Sequence, residues 1–489
     1  MAADRNNGNG SAAGAFAFRL LAVLGIVAVM AISGTAAEQV QPKCDYLKIV
    51  RGYADAMIGP GRDISGNERL PLFSEALDRR RMRLLEGELL ETVAKIPREG
   101  WGIRPHDRMI EGANPQHCQN LYQVLYALGE VTGEPGYAEA ADRSLEFFFE
   151  RCQSPATGLF CWGEHAGWDF RAGKRIDKPA GNIHEFYRPW VLWDRSWQVA
   201  PEPCRRFALG LWEHQVGNHE TGDYSRHATI DAHGAGTEAP YARHGGFFVE
   251  TWAAAYEKTR DEVFLRAIET VLDGLERARV EEGGMLVGGS KKRGSRRAYD
   301  LSLAVSLGNS APTMPPELAA KMRAVASVND RVFAEARAGG SGVGAGSLWS
   351  NAYGAAGPAG AANLSMLRYR QVGGDAHRQS VLQWADVYRE REVDLSEPVW
   401  PGTMGSVVFL MLNAHELTGD AVYLDAADRF AEKGVELFLG DGRPLPKASH
   451  VHDHYEAVTN GDTLMMSLMR LCQVRNKRTL RSNLVFTDR

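Results

Sequence analysis

Apolar positions recur at helical spacing through most of the chain, in segments that come as pairs. Tyr126-Ala-Leu-Gly-Glu-Val-Thr-Gly-Glu134 leads into Tyr137-Ala-Glu-Ala-Ala-Asp-Arg143, and Leu412-Asn-Ala-His-Glu-Leu-Thr-Gly-Asp420 leads into Tyr423-Leu-Asp-Ala-Ala-Asp-Arg429. Weaker copies run from Ala253 through Lys258-Thr-Arg-Asp-Glu262 to Phe264, and from Leu367 through Gly373-Gly-Asp375 to Asp386. Each copy predicts an amphipathic helix, a short turn and a second amphipathic helix. In the last copy Val422, Leu424, Ala427, Phe430, Ala431 and Val435 share one stripe. A helical hairpin cannot bury such a stripe alone, so several must pack together. The expected fold is all-α: one closed α/α toroid, an (α/α)7 barrel of helical hairpins, with minor β-structure in the rim loops. An open helical solenoid is the alternative.

Between the hairpins lie long polar, aromatic and glycine-rich connections over 161–193, 212–247, 283–299, 339–360 and 398–405. Connections of this length inside a compact domain are usually functional. In a toroid they converge on one rim and build a cleft there.

Composition narrows the class. The chain has 489 residues, 44% hydrophobic, and can bury a large core; its net charge of −5 provides no general attraction to nucleic acid or membranes. No zinc-finger, P-loop or Rossmann signature is present. The first residues read as an export signal spanning 1–37: Arg5 and Arg19 precede the apolar run 20–32, and Gly34-Thr-Ala-Ala37 offers a cleavage site. That run would span only about 20 Å as a helix, too short for a bilayer. The expectation is a secreted or periplasmic monomer with one catalytic domain over 38–489, free of the membrane after cleavage. Export permits disulfides, and the pair Cys152 and Cys161, bracketing the turn-rich loop 153–160, is favoured.

The candidate chemistry sits in the middle third. His165 lies in Cys161-Trp-Gly-Glu-His-Ala-Gly-Trp168, Glu185 in Asn182-Ile-His-Glu-Phe-Tyr187, and Arg226-His227 in Tyr224-Ser-Arg-His-Ala228. Two imidazoles and a carboxylate can form part of a transition-metal shell, and Mn, Co, Ni or Zn suit them better than Ca. The flanking Trp162, Trp168, Phe186, Tyr187 and Trp190 are aromatics expected around a carbohydrate cleft.

This arrangement resembles the family 2 polysaccharide lyases, pectate lyases built on an α/α barrel. The resemblance covers mainly residues 160–250. It implies that His165, Glu185 and His227 hold a divalent transition metal and that Arg226 is the catalytic residue. The implied reaction is β-elimination on 4-linked galacturonan: a base removes the C5 proton beside the carboxylate, and the C4–O bond breaks. The partner is then an acidic polysaccharide or oligogalacturonide. Arg226 lies near C5 and the carboxylate in this reading; an ordinary guanidinium titrates above about 12, so service as a base requires a cation and desolvation nearby.

Other residues are candidates for substrate binding. Tyr241, Arg243 and His244 stand just before a helix start, and the basic run containing Lys291 and Arg296 could meet successive carboxylates. His450, His452 and His454 alternate, which reads as a polar rim loop. Three other functions compete: an α/α-barrel glycoside hydrolase drawing on Asp169, Asp194, Asp231 or Glu250, a non-catalytic glycan-binding protein, and a sugar epimerase. Fold alone does not choose among them.

Overall fold

The repeated Thr-x-Asp/Glu turn explains the hairpins atom by atom. In a computed structural model, Gly133 and Gly419 end their helices at φ 74°, in the left-handed region that glycine enters without strain. Each donates its N–H to the helix it closes, at Gly129 O (3.0 Å) and His415 O (2.7 Å). The preceding Thr132 and Thr418 hydroxyls donate back to Leu128 O and Ala414 O, and accept from the N–H of Glu134 and Asp420. Asp420 then caps the next helix through Val422 N. At the third copy Arg260 takes the left-handed position, with Thr259 and Asp261 making the same bonds.

The structure describes residues 46–62, 69–97, 101–164, 166–176, 183–233, 241–279, 297–338, 348–349, 357–477, 480 and 484–487. The export signal read over 1–37 lies outside them. Among the described residues seven helices form an inner ring: Gln119–Thr132, Trp193–Val199, Ala242–Thr259, Arg297–Ser310, Pro358–Val372, Pro401–Thr418 and Gly461–Arg475. Six are each followed in the chain by the outer helix that covers them: Gly136–Arg151, Pro201–Gly210, Glu262–Arg277, Pro316–Ala338, Asp375–Arg389 and Ala421–Leu439.

Closure comes from the first described helix. Tyr46–Ile58 packs on Gly461–Arg475 as its outer partner, and Gly461–Arg475 packs on Gln119–Thr132. The repeat makes the equivalence explicit. Tyr423 donates its hydroxyl to Asp386 on the preceding outer helix, and Tyr137 donates in the same way to Asp55 on Tyr46–Ile58, both at 2.8 Å. The seam between Gln119–Thr132 and Trp193–Val199 is closed by Gln119, whose amide bonds Pro189 O and Val191 N. The fold is therefore an (α/α)7 toroid, as expected, and the open solenoid is excluded. No helix among the described residues is long and apolar enough to cross a membrane.

Two local expectations are corrected. Cys152 and Cys161 are not joined: both remain thiols, Cys152 fully buried and Cys161 directed at Gly167 O. The disulfide falls on Cys472, to a partner outside the described residues. The connection read over 398–405 is shorter, because Pro401 opens a helix, where its missing N–H costs nothing. Of the other long connections, the described parts of 161–193 and 212–247 meet at the rim where the inner helices begin, and those over 283–299 and 339–360 lie largely outside the described residues. Short antiparallel pairs stiffen them: Ala76–Leu77 with Tyr455–Glu456, Gly112–Ala113 with Gly167–Asp169 and then Lys174–Ile176, and Ile183–His184 with Ala228–Thr229.

Candidate active site

The register of one two-residue strand pair brings the candidate residues together. His184 lies opposite Ala228 and Ile183 opposite Thr229. One step further along this antiparallel pair, Glu185 faces His227, at the spacing where cross-strand side chains meet. His227 Nε2 lies 2.7 Å from Glu185 Oε2, and Arg226 Nε lies 4.0 Å from the same oxygen. Glu185 is fully buried, whereas Arg226 and His227 each keep almost a third of their side chains open to solvent. The Arg226 guanidinium stands 5.2 Å from the Tyr241 ring centre, a cation–π contact.

A second loop is pressed against Glu185. Gly163 has φ 94°, and a Cβ there would fall 1.7 Å from Glu185 O, so only glycine permits this approach. Asn114 ties the loop down by donating to Gly163 O (2.6 Å) and Ala166 O (3.0 Å). Glu164 on this loop hydrogen-bonds Glu185. Burial pushes the Glu164 carboxyl up to about 8, and the adjacent Glu185 adds to the rise. Burial also raises Glu185, against the pull of Glu164, Arg226 and Arg243. Glu164 is thus the proton donor of the pair. Arg104, more than a third exposed, borders the pair: its Nη2 lies 3.6 Å from Glu164 Oε2 while its Nε donates to the buried Asp107.

The remaining sequence candidates fall into three groups. His165, Lys291 and Arg296 lie outside the described residues. Tyr241 is at the site, against Arg226. Arg243 and His244 are buried beneath it and hold backbone: Arg243 Nη2 donates to Tyr187 O (2.5 Å), and His244 Nε2 bonds Phe186 O (2.9 Å). Burial, with Arg243 and Arg226 next, drives His244 well below its ordinary pKa, so it is a neutral donor. Both residues thus shape the Glu185 loop from below. Sequence reasoning missed Glu164, Asp107, Arg104 and Asn114; the one available signal was Glu164 standing beside His165.

The carboxylates considered for hydrolysis are engaged separately. Asp169 accepts from the N–H of Arg171 and Ala172, Asp231 from Ser154 and Arg175, Asp194 from Lys258, and Glu250 from Asn309. The histidine run belongs to the rim, as expected. His450 accepts from Val399 N, His452 abuts Trp101, and His454 is buried against Glu456, which Arg108 grips with two bonds of 2.6 and 2.5 Å.

Among the described residues no group of three or more His, Cys, Asp and Glu could hold a metal ion. Glu185 and His227 supply two of the three expected donors, one oxygen and one nitrogen. Their chemistry fits a divalent transition ion.

Residues 99–267 match the family described as periplasmic pectate lyase. A pectate disaccharide-lyase of Dickeya dadantii (strain 3937) is 28% identical over 124 residues, which is 25% of this chain and 22% of that protein. The aligned part thus spans about a fifth of that relative's length. Among solved structures, a sugar epimerase from a ruminal bacterium aligns over 87% of this chain and 98% of its own at 12% identity and TM-score 0.47. An α-1,6-mannanase from Salegentibacter sp. HEL1_6 aligns over 87% and 100% at 10% identity and TM-score 0.43.

Proposed function

From the match of residues 99–267 to the family described as periplasmic pectate lyase, we propose that the protein is an exported, metal-dependent pectate lyase. Its substrate is a 4-linked galacturonan or oligogalacturonide. The observation that carries the proposal is the strand register that sets His227 at 2.7 Å and Arg226 at 4.0 Å from the buried Glu185, within the family segment.

Glu185, His227 and His165 are the proposed ligands of a Mn, Co, Ni or Zn ion. When bound, the ion would neutralise the charge that develops on the substrate carboxylate. Everything else is done by side chains. Arg226, exposed on one face and held by Tyr241 on another, is the catalytic residue acting at C5 and its carboxylate. In the elimination a base takes the C5 proton, the C5–H pair becomes the C4=C5 double bond, the C4–O pair leaves with the departing sugar oxygen, and that oxygen gains a proton, so no proton is lost or gained overall. Arg104, held by Asp107 and more than a third exposed beside the carboxylate pair, suits the next uronate of a polyanion. Arg243 and His244 keep the Glu185 loop in place by holding two successive carbonyls. Lys291 and Arg296 are proposed contacts for further uronates.

Mass spectrometry of the products on oligogalacturonides tests this reading. Elimination yields two fragments whose masses sum to that of the substrate, one of them unsaturated. Fragments that together carry one added water would identify a hydrolase and overturn it.

A further inference from the structure

The last described segment, residues 484–487, runs inside the toroid. Gln123 on the inner helix Gln119–Thr132 bonds both backbone groups of Val485: Val485 N donates to Gln123 Oε1 (2.8 Å), and Gln123 Nε2 donates to Val485 O (3.0 Å). Phe486 is buried with its ring 6.0 Å from that of Phe409. Cavities of about 380 and 320 Å³ flank Val485 near the end where the inner helices finish. The segment lies between them as a strap, with Val485 lining both.

Its tip reaches the site loop. Thr487 is fully buried and uses its hydroxyl in both senses, donating to Asn120 Oδ1 (3.0 Å) and accepting from Arg188 Nη1 (3.3 Å). Arg188 is buried too, bonded through Nη2 to Asn460 and stacked 4.8 Å from the Tyr187 ring. Three residues earlier in the same loop stands Glu185. The loop backbone is otherwise held by Gln116, whose Oε1 accepts from Tyr187 N (2.6 Å) and Arg188 N (3.3 Å), and by Arg243 and His244 from below.

We propose that residues 484–487 form a positioning strap: Thr487 fixes Arg188, and Arg188 fixes the loop that presents Glu185. The proposal rests on Glu185 belonging to the active site described above. It makes the far end of the chain part of the support for a site some three hundred residues earlier in sequence, the kind of outer scaffold that keeps a ligand in register.

The test is hydrogen exchange on the full chain, comparing wild type, Thr487→Val and Thr487→Ser, with Mn affinity measured alongside by calorimetry. Thr487→Val keeps shape and removes both bonds; Thr487→Ser keeps both. We expect the Tyr187 and Arg188 amides to exchange at least about tenfold faster in Thr487→Val, with Mn binding weakened, and both to return in Thr487→Ser. The amides of Val381 and Leu382 on the outer helix Asp375–Arg389 should not change. Faster exchange confined to Val485 and its neighbours, with Tyr187 and Arg188 unchanged, would overturn the proposal. Should Thr487→Val fail to fold, Asn120→Ala, which removes the hydroxyl's acceptor, and Thr487→Ala take its place: faster exchange at Tyr187 and Arg188 supports the link, and wild-type exchange there in a folded variant refutes it. Absence of eliminase activity in wild type would remove the pectate reading while leaving the exchange result to judge the strap.

Discussion

Gly163→Ala isolates the contact on which the site geometry depends. The added Cβ would lie 1.7 Å from Glu185 O and 2.7 Å from its carbonyl carbon. Since carbon and oxygen rarely approach closer than about 3.3 Å, the two loops must part by about 1.6 Å. Part of the cost is the left-handed backbone at φ 94°, of order 1–2 kcal/mol for a non-glycine residue. The separation is felt at Glu185 itself, and a displacement of about 1 Å at a reacting site can cost about 100-fold in rate. Gly133→Ala is the control, because Gly133 has a similar positive φ of 74° but no neighbour within 4 Å of the position its Cβ would take. Urea unfolding, Mn calorimetry and eliminase rates on both variants give the comparison. Gly133→Ala should lose about 1 kcal/mol and keep full activity per folded molecule. Gly163→Ala should lose more stability, about 100-fold in kcat, and much of its Mn affinity. Equal stability losses, or normal Mn affinity in Gly163→Ala, would refute the reasoning.

Other expectations follow from the same geometry. Arg226→Ala should lower kcat by about 10²- to 10⁴-fold while changing unfolding free energy by less than about 1 kcal/mol, because the side chain is partly exposed and outside the core; a large loss of stability would mean its role is structural. His227→Ala should weaken Mn binding, measured by calorimetry, by more than the roughly 10- to 100-fold that outer-shell changes cost; unchanged affinity would remove His227 from the ligand set. At the rim, burial raises Glu456 but Arg108 outweighs it and brings the carboxyl to about 2 from an ordinary 4.5. A carboxyl lowered on folding stabilises above its unfolded pKa, so about 3 kcal/mol is present above pH 4.5 and is lost as pH falls toward 2. Arg108→Ala should therefore cost about 3–5 kcal/mol at pH 7 by stranding a buried carboxylate, and distinctly less at pH 3, as read by urea unfolding; a cost that does not depend on pH would contradict this.

The hairpins were legible because their turns are local chemistry. Thr132-Gly133-Glu134 and Thr418-Gly419-Asp420 each close one helix and start the next with bonds spanning four residues, and each sequence copy falls on an observed hairpin. The hairpin Arg297–Ser310 and Pro316–Ala338 went unnoticed, and an inner helix explains why such units hide. Pro401–Thr418 is buried on nearly every face along its first three turns, so it carries no polar stripe to mark a helical period. Closure was illegible for another reason: Tyr46–Ile58 serves a helix some four hundred residues away, a pairing seen in their packing and in the Tyr53–Tyr455 hydroxyl contact rather than in any local pattern.

At the site, residue types and order pointed to Glu185, Arg226 and His227, but their meeting depends on a strand register set by two residue pairs. Glu164 was overlooked because its importance lies in burial against Glu185, which no spacing encodes. Arg243 and His244 have the chemistry of ligand-binding residues, yet they hold the carbonyls of Tyr187 and Phe186. A buried polar side chain is as readily recruited to satisfy backbone as to meet substrate, and the sequence looks the same in both cases.

The central claim is that Arg226, beside a metal held by Glu185 and His227, carries out elimination on galacturonan. Its most direct test is ultraviolet absorbance of purified protein with polygalacturonate, in the band of unsaturated uronates, with Mn added and again after chelation. The account predicts a rise that needs Mn, stops on chelation, resumes when Mn is restored, and is abolished in Arg226→Ala. A flat trace from folded, Mn-loaded wild type, or a rise indifferent to chelation and to Arg226→Ala, would contradict it.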